Sequence, residues 1–471
     1  MPRELPPPAD ATLAREPGLR LLIPMMVAVA FLMEQLDTTI ITTAVPDMAH
    51  SLGTSAVQLN LAVSAYVLTL AVFIPLSSWC ADRFGVRRVF ITALALFTLG
   101  SALCGLASNF TQLVAMRVLQ GLGGSMMTPV GRLILLRSFP RQDLVRAMTY
   151  TTLPALIGPV LGPLLGGALT TYLSWRWIFT VNLPFGLIGI ALALRYLRDS
   201  QPDRGARFDI VGFALFGCAI ALLQASLELR GRSAALLALG AAAVLLLAFT
   251  LYARGKRHAV VDLTLFGERA FAVGTLAGGL CRVAFNGMAF LLPLMLQLGL
   301  GMTPLQSGSL TFLSAVGSPL VRLALGPLLR RFGFVRLLGA SALLGADVLA
   351  GFALLGSGTP RWVIGGYIVL FGIVRSTQFM SSNTLSYADL HAQRLSRATS
   401  LGGLLEQLTV SFGVSFGAAL LTLLGNAHGA PRLEQFHASC LLLALLALLA
   451  IPAFARLRPG DGAQVSGYRA R

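Results

Sequence analysis

Two carboxyl groups, Glu34 and Asp37, lie three residues apart within the apolar stretch 20–45. Residues at that spacing share one face of a helix, so both carboxyls would line the same side of a pathway. Ionisable groups are costly at membrane depth, where they usually serve a function. A carboxyl that takes up a proton on one side of a membrane and releases it on the other couples proton flow to transport. A helix cap or a static ion pair near a helix end is the alternative role for Asp37.

Arg117 is the cation that could act on these carboxyls. It lies in the apolar stretch 112–136, and its guanidinium stays protonated at any working pH. It is therefore a fixed positive charge that biases where a nearby carboxyl holds its proton. Glu34, Asp37 and Arg117 are the predicted proton-coupling group. A structural tether between two helices is the alternative role for Arg117.

Glycine and proline repeat along another apolar stretch. Gly158, Gly162 and Gly166 lie at i, i+4 and i+8, which places them in one stripe on a helix. Such a stripe allows two helix backbones to approach closely, and Pro159 and Pro163 favour a bend. Ordinary tight helix packing would use the same contacts.

Further charged residues fall inside apolar stretches of the second half of the chain. Arg282, Arg375 and Glu406 could pair with one another or contact a substrate, whereas Asp347 has no partner that the sequence identifies. The five cysteines are scattered singly, and no phosphate-binding glycine loop, Ser-His-Asp set or metal-ligand spacing is present. The sequence therefore supports neither an enzyme nor a metal or cofactor site.

The composition indicates what kind of protein positions these groups. Of 471 residues, 56% are hydrophobic and 12% are charged, and the mean hydropathy is +0.77. Soluble domains carry about 25% charged residues, so an ordinary soluble enzyme is excluded. The net charge of +17 is spread between apolar stretches, without a basic stripe that has interleaved aromatics. We therefore expect a lipid-embedded protein that does not bind nucleic acid.

Apolar stretches of about 20 residues, the length that spans a bilayer, divide the chain into fourteen expected helices. Their limits are 20–45, 57–80, 89–107, 112–136, 147–171, 177–197, 208–229, 233–253, 270–298, 305–325, 334–356, 361–385, 399–425 and 434–456. With the N-terminus inside, 26 Lys and Arg fall in inner connections and five in outer ones. Cytoplasmic loops carry this excess, so we expect an all-α multi-pass membrane protein with both termini in the cytoplasm.

An internal repeat divides the chain into halves. Arg83-Phe84-Gly85 follows the second stretch, and the same three residue types at 331–333 follow the tenth. Duplicated halves are typical of secondary transporters with a central site, and six helices, an inserted pair and six more helices are the simplest layout. The expected divisions are a cytoplasmic tail 1–19, a six-helix bundle 20–197, linkers with the inserted pair 198–269, a second six-helix bundle 270–456 and a cytoplasmic tail 457–471.

Six segments carry recognisable motifs. They are Leu36–Pro46, Asp82–Gly85, Arg117–Gly124, Gly158–Gly167, Trp175–Phe179 and Asn182–Pro184. Together they resemble the signature set of the major facilitator superfamily, in its fourteen-helix drug:proton antiporter branch (EmrB/QacA type). The resemblance covers essentially the whole chain. Three later segments resemble the MdtD-like group of multidrug exporters: Leu291–Gln297, Ser376–Phe379 and Glu434–His437.

The resemblance implies roles for several residues. It implies proton coupling by Arg117. It implies an antiporter hinge that closes a leak path, formed by Gly158, Pro159, Gly162, Pro163, Gly166 and Gly167. It also implies a cytoplasmic gate formed by Asp82, Arg83, Gly85, Arg87 and Arg88, for which a solvated loop that only sets topology is the alternative. Ser78 and Thr149 depart from the motifs, since both positions normally hold glycine.

A substrate cavity is implied as well. The residues on its expected helices are Met33, Tyr66, Gln120, Met126, Met127, Phe285, Met288, Gln378, Phe379, Met380 and Asn383, together with Arg282, Arg375 and Glu406. Methionine adapts to different ligand shapes, although Met and Phe in membrane helices more often face lipid or the protein core.

These observations lead to one expected function and two alternatives. We expect a monomeric proton-coupled exporter of amphipathic drugs or other small organic compounds, in a bacterial inner membrane and without a cofactor. Its partners are the small organic substrate, protons and the lipid bilayer. One alternative is an exporter of a single endogenous metabolite, such as an amino acid or siderophore. The other is a membrane scaffold or sensor that transports nothing.

Overall fold

The computed structural model describes residues 19–139, 141–197, 208–229, 231–254, 256, 261–425, 431–458, 460–466 and 468. Within these ranges the regular secondary structure is helical, without a strand. The parts of the expected divisions that lie outside the described residues are 1–18 of the first tail, 140 of the first bundle, 198–207, 230, 255 and 257–260 of the linkers and inserted pair, 426–430 of the second bundle, and 459, 467 and 469–471 of the last tail.

The helices follow the apolar stretches. The α-helices are α1 Leu19–Ile40, α2 Val45–Ser51, α3 Asn60–Phe84, α4 Val86–Gly105, α5 Phe110–Ser138, α6 Arg141–Tyr172, α7 Trp177–Thr180, α8 Asn182–Tyr196, α9 Ile210–Glu228, α10 Arg232–Arg254, α11 Arg269–Leu294, α12 Pro304–Gly351, α13 Arg361–Ala388, α14 Ala392–Leu424, α15 Leu433–Leu448, α16 Ile451–Phe454 and α17 Ala463–Ser466. Short 3₁₀ segments cover Ile41–Thr43, Leu263–Gly267 and Phe352–Leu354, and a π-helical turn, Met295–Gly299, extends α11.

Local sequence signals begin several of these helices. The Asn109 side chain accepts a hydrogen bond from the backbone nitrogen of Gln112 at 2.9 Å and so begins α5. Asp209 begins α9 in the same way, through the nitrogen of Gly212 at 3.1 Å. A capping box at Thr303 begins α12.

The repeated Arg-Phe-Gly sequence forms the same kind of backbone turn in both halves. Gly85, between α3 and α4, has φ 89°, and Gly333, within α12, has φ 70°. Residues other than glycine rarely adopt such positive φ values. Gly333 is non-helical, so α12 consists of two helices that meet at this residue. The repeat seen in the sequence therefore has a structural counterpart.

Eleven helical segments in the described ranges are long and apolar enough to cross a membrane. One of them, Pro304–Leu354, contains the break at Gly333. α5 and α6 are not among the eleven, although they have 29 and 32 residues. The chain is a multi-pass membrane protein.

The long helices pack in two groups. α1, α3, α4, α5, α6 and α8 contact one another and form the first helix group, and α11 to α15 form the second helix group. The two groups meet where α6 packs against α12 and where α3 packs against α14. α9 and α10 pack on each other, and α9 also contacts α3 and α14.

A cavity of about 1590 Å³ lies between the two helix groups. Its lining comes from α1, α3, α5, α6, α10, α11, α13 and α14, and it extends to the connection between α10 and α11. Exposed side chains, including Arg254, Lys256 and Arg397, surround the cavity there, and we call this end the open end.

At the opposite end, which we call the closed end, the two helix groups touch. The Nε2 atom of Gln297 donates a hydrogen bond to the backbone oxygen of Thr43 at 3.0 Å. The backbone nitrogen of Leu305 donates to the Thr171 hydroxyl at 3.1 Å. The cavity is therefore accessible from one end of the molecule and sealed at the other.

Candidate functional site

Asp37 and Arg117 form a buried ion pair inside the first helix group. Arg117 Nη1 lies 2.6 Å from Asp37 Oδ2, and the two side chains are 0% and 1% exposed. The second carboxylate oxygen, Oδ1, accepts hydrogen bonds from Gln120 Nε2 at 2.8 Å and from Asn182 Nδ2 at 3.4 Å. Three helices, α1, α5 and α8, therefore meet at one carboxylate.

Arg117 extends this contact to α3. Its Nε donates to the backbone oxygen of Ala62 at 3.1 Å, and its Nη1 also donates to Gln120 Oε1 at 2.8 Å. Its guanidinium carbon lies 4.1 Å from the ring centre of Tyr66 and 5.8 Å from that of Phe179. Buried charges are tolerated when they are paired and hydrogen-bonded, and aromatic rings add attraction for a cation. The sequence predicted both charged groups, but it gave no indication of the Asn182 contact.

Glu34 lies in a different environment from Asp37. Its side chain is buried, accepts a hydrogen bond from the Thr128 hydroxyl and lines the cavity. Asp37 does not line the cavity and lies behind it, against Arg117. The two carboxyls are thus neighbours on α1, with one facing the cavity and the other facing the interior of the first helix group.

The glycine stripe of α6 packs against α1. An added Cβ on Gly162 would collide with the Thr39 side chain, and one on Gly166 would collide with the backbone oxygen of Ile40. The Thr39 hydroxyl also lies 3.4 Å from the backbone oxygen of Gly158, to which it donates. α6 therefore supports, at close backbone distance, the helix that carries both carboxyls.

The same part of α6 also contacts the second helix group. An added Cβ on Gly167 would collide with the backbone oxygen of Pro304, and one on Gly308 would collide with that of Pro163. Pro159 lines the cavity. The predicted hinge residues thus lie between α1 on one side and the start of α12 on the other.

The predicted gate residues lie at the turn between α3 and α4. Asp82 Oδ1 lies 3.0 Å from Arg137 Nη2 at the end of α5, and both side chains are substantially exposed. Arg87 Nη2 donates to the backbone oxygen of Leu194 at 2.6 Å. Both contacts stay within the first helix group, and among the described residues Asp82 has no ion pair with the second helix group. Arg83 and Arg88, the other basic members of the set, also make contacts in this region.

Three of the predicted cavity residues, Arg375, Phe379 and Glu406, lie on the cavity wall. Arg282 donates from Nη2 to Asn383 Oδ1 at 2.6 Å, with its guanidinium carbon 5.6 Å from the Phe379 ring centre. Most of the remaining candidates are not on the wall but pack in the protein interior: Met33, Tyr66, Gln120, Met126, Met127, Phe285, Met288 and Gln378. Met380 is half-buried and also lies off the wall. Asp347 is exposed on α12.

Glu228, at the end of α9, is a carboxylate that the sequence analysis did not identify. Its Oε1 accepts hydrogen bonds from the hydroxyls of Ser64 on α3, at 3.2 Å, and Ser415 on α14. Gln224 Nε2 lies 3.5 Å from the same oxygen. Gln224 and Glu228 are four residues apart at the end of an apolar helix. This polar pair is the sequence pattern that could have identified Glu228 as a candidate.

The connection between α10 and α11 is bound to the start of α14. Arg397 Nη1 lies 3.3 Å from Asp262 Oδ2, and Arg394 Nη1 lies 2.8 Å from Glu268 Oε1. Partial burial, the largest single effect, would raise the pKa of Asp262. Hydrogen bonds from Thr264 and Arg397 and the charge of Arg397 outweigh it, so the pKa lies below its usual value. This connection therefore contributes paired charges to the open end of the cavity.

The described residues contain no group of His, Cys, Asp and Glu that could hold a metal ion. Cys80, Cys104, Cys218, Cys281 and Cys440 are all free thiols. The buried carboxyls and the arginine at the site are groups suited to proton uptake and ion pairing.

The sequence and the fold both match known proteins. The family model described as Major Facilitator Superfamily matches residues 27–414. A protein named "Putative multidrug resistance protein MdtD" from Pectobacterium atrosepticum is 40% identical over 446 residues, which cover 92% of this chain and 95% of the relative. A protein of the same name from Escherichia coli O9:H4 is 39% identical over 93% of this chain and 94% of its own.

Solved transporters share the fold at low sequence identity. A D-xylose-proton symporter superposes with a TM-score of 0.66 at 15% identity, covering 94% of this chain and 98% of its own. An inward-facing bacterial homologue of the lysosomal transporter Spinster superposes with a TM-score of 0.65 at 17% identity, covering 92% and 96%. These relatives and fold neighbours are transporters and not enzymes. The chain belongs to the Major Facilitator Superfamily.

Proposed function

We propose that this transporter is a proton-coupled exporter of small amphipathic organic compounds that works by alternating access. The observation that carries the proposal is the pairing of two carboxyls on α1 with different surroundings. Glu34 faces the cavity, and Asp37 is held by Arg117 inside the first helix group. Such groups can take up and release protons only if the conformation changes their access to water, which is what coupling requires.

Protonation of Asp37 would weaken the contact that holds α1 against α5. The ion pair loses its attraction when the carboxyl is neutral, and the buried guanidinium of Arg117 must then find other partners. Gln120 and the backbone oxygen of Ala62 already accept from Arg117 and would hold it. α1, released from α5, packs directly on the glycine stripe of α6, which in turn contacts α12 at the closed end. This chain of contacts connects the proton site with the contact between the helix groups.

We propose fourteen membrane spans in a 6 + 2 + 6 arrangement. Eleven apolar segments support this count, together with the division of Pro304–Leu354 at Gly333 and the long helices α5 and α6. The excess of cations in one set of connections supports a cytoplasmic location for both termini. In that orientation the open end faces the cytoplasm, from which an exporter collects its substrate, and the bacterial relatives support an inner-membrane location.

The cavity lining supports an amphipathic substrate. Apolar side chains, among them Phe31, Phe290 and Phe379, alternate on its wall with hydroxyl, amide and charged groups such as Thr38 and Asn286. Ligand sites are generally apolar with a few polar groups that fix orientation. The two relatives are named as multidrug resistance proteins, which supports drugs as one substrate class.

Transport into everted membrane vesicles tests the proposal. A pH gradient, acidic inside, should drive uptake of a labelled amphipathic compound, and Asp37→Asn should abolish that dependence on the gradient. Asp347→Asn is the matched control, since it removes a carboxyl that is exposed on α12, and it should leave the gradient dependence intact. Uptake by the unchanged protein that continues after a protonophore collapses the gradient would contradict proton coupling. Uptake of one compound out of a panel of cations, acids and amino acids would favour the single-metabolite exporter.

A further inference from the structure

The inserted helices α9 and α10 lie across one contact between the two helix groups. Near the open end, α9 and Phe208 just before it pack on α3 through aromatic pairs. The rings of Phe73 and Phe213 are 5.5 Å apart, and those of Trp79 and Phe208 are 5.4 Å apart. These pairs attach the start of α9 to the first helix group.

The connection after α10 binds the other helix group at the same end. Asp262 and Glu268 pair with Arg397 and Arg394 of α14. The insertion is therefore attached to both helix groups near the open end. Phe216 and Phe249 also lie in one apolar cluster with Leu404 of α14.

Glu228 makes a contact toward the closed end that involves both helix groups. One of its oxygens accepts hydrogen bonds from Ser64 on α3 and from Ser415 on α14, so a single carboxylate joins the two helix groups. Gln224, one turn earlier on α9, donates to the Ser415 hydroxyl as well. The Ser411 hydroxyl donates directly to the backbone oxygen of Ser64 at 3.2 Å. These contacts concentrate the polar bonding between α3 and α14 around Glu228.

The Ser64 hydroxyl keeps a hydrogen-bond partner when this contact opens. The Ser64 hydroxyl is already 3.5 Å from the backbone oxygen of Leu61 on its own helix, and a serine in a helix commonly donates in this way. Glu228 is the last residue of α9, where a separation of α3 and α14 would admit water. Hydrogen bonds to an ionised carboxylate are roughly twice as strong as neutral ones. Such a contact is strong when made and replaceable when broken, as a gate requires.

We propose that Glu228 is a latch that keeps the closed end shut, so that the inserted helix pair contributes a gate to alternating access. The proposal rests on the alternating-access transport proposed above. Glu228 acts as a positioning residue: it holds α3 against α14 through Ser64 and Ser415 while the cavity is accessible from the open end. Outward opening requires that these hydrogen bonds break.

Distance measurements across the closed end test the latch directly. Spin labels at Ser55→Cys, before α3, and Leu423→Cys, near the end of α14, would be introduced into a variant in which the five native cysteines are replaced. Both positions are exposed. The distance distribution, recorded in lipid without substrate, reports the fractions of molecules with the closed end shut and open.

Loss of the latch should increase the open fraction. A hydrogen bond to a charged group contributes enough to shift an equilibrium about tenfold, so Glu228→Ala should raise the ratio of open to shut molecules about tenfold. Ser415→Ala should shift the same ratio in the same direction, and the two changes together should add little to either one. The matched control is Ser226→Ala, because the Ser226 hydroxyl donates to the Leu223 backbone oxygen of its own helix. This control should leave the distribution unchanged.

Transport kinetics separate a latch from a purely structural contact. Fewer molecules in the state accessible from the open end raise the apparent KM in everted vesicles, because apparent affinity falls with the competent fraction. Glu228→Ala should therefore raise KM and keep the dependence on the proton gradient, whereas a structural anchor would lower the amount of folded protein and leave KM unchanged.

An unchanged distance distribution in both Glu228→Ala and Ser415→Ala would overturn the latch. If Glu228→Ala does not fold, Ser415→Ala decides alone. The distance measurement needs neither substrate nor gradient, so a protein that transports nothing would refute the proposed function and still allow the latch to be judged.

Discussion

At the scale of single residues, Asp37 is the point on which the first helix group converges. Its carboxylate is bound by Arg117, Gln120 and Asn182, and the arginine continues to α3 through the oxygen of Ala62. The two charges lie out of water and depend on each other, because a buried ion without its partner is costly. Protonation of Asp37 would therefore alter contacts between several helices at once.

The dependence of the two charges on each other can be measured by a double-mutant cycle. Arg117→Ala leaves the Asp37 carboxylate buried and unpaired, and it should lower the free energy of unfolding by about 3 to 5 kcal/mol. Adding Asp37→Asn removes the uncompensated charge, so the double variant should be more stable than Arg117→Ala alone. Thermal unfolding in detergent gives the comparison. Strictly additive losses would show that the two side chains do not stabilise each other.

The sequence predicted the charged members of this site but not its full composition. Their spacing places Glu34 and Asp37 near the same face of one helix. The two side chains still leave the helix in somewhat different directions, and only Glu34 lies on the cavity wall. The contact between Asn182 and Asp37 could not be predicted, because no periodicity in α8 shows which helix its polar face meets. The partners of Glu228 could not be predicted for the same reason, since they come from α3 and α14.

At the scale of helices, α6 connects the proton site with the closed end. Its glycines pack against α1 on one side and α12 on the other, so closely that a Cβ would not fit. The sequence predicted the stripe from its spacing of four, and the structure adds which helices fill it. α1 and α12 therefore cannot move independently of α6 at these contacts.

A single methyl group on this stripe should disturb the contact. In Gly166→Ala the new Cβ would collide with the backbone oxygen of Ile40, which cannot rotate away, so α1 and α6 must separate. Such overpacking costs about 1 to 3 kcal/mol, and we expect a lower melting temperature and loss of gradient-driven transport.

The control for this change is Gly366→Ala in α13, where an added Cβ would meet no atom within 4 Å. Alanine is favoured over glycine inside a helix, so this variant should be at least as stable as the parent and should transport normally. Equal behaviour of the two variants would show that the stripe has no special packing role.

At the scale of the whole molecule, helix positions could be predicted from the sequence far better than helix partners. The expected stretch 112–136 corresponds to Phe110–Ser138, and 361–385 corresponds to Arg361–Ala388, because the length of an apolar run is a local property. The stretches 305–325 and 334–356 meet at Gly333 without a separate loop, since the repeated turn there needs one glycine only. Which helices enclose the cavity depends on packing between distant segments, and apolar runs carry no such information.

The molecule as a whole should expose its cavity to one side of the membrane only. Gln407 lines the cavity, whereas Ser55 is exposed at the closed end. Single cysteines at these two positions, in a variant without the native five, would be treated with a membrane-impermeant maleimide. Since the open end is expected to face the cytoplasm, Gln407→Cys should react in everted vesicles and be protected in intact spheroplasts. Ser55→Cys should show the reverse pattern. The opposite result at both positions would place the open end outside, and the assignment of this state as the one that collects substrate from the cytoplasm would have to be abandoned.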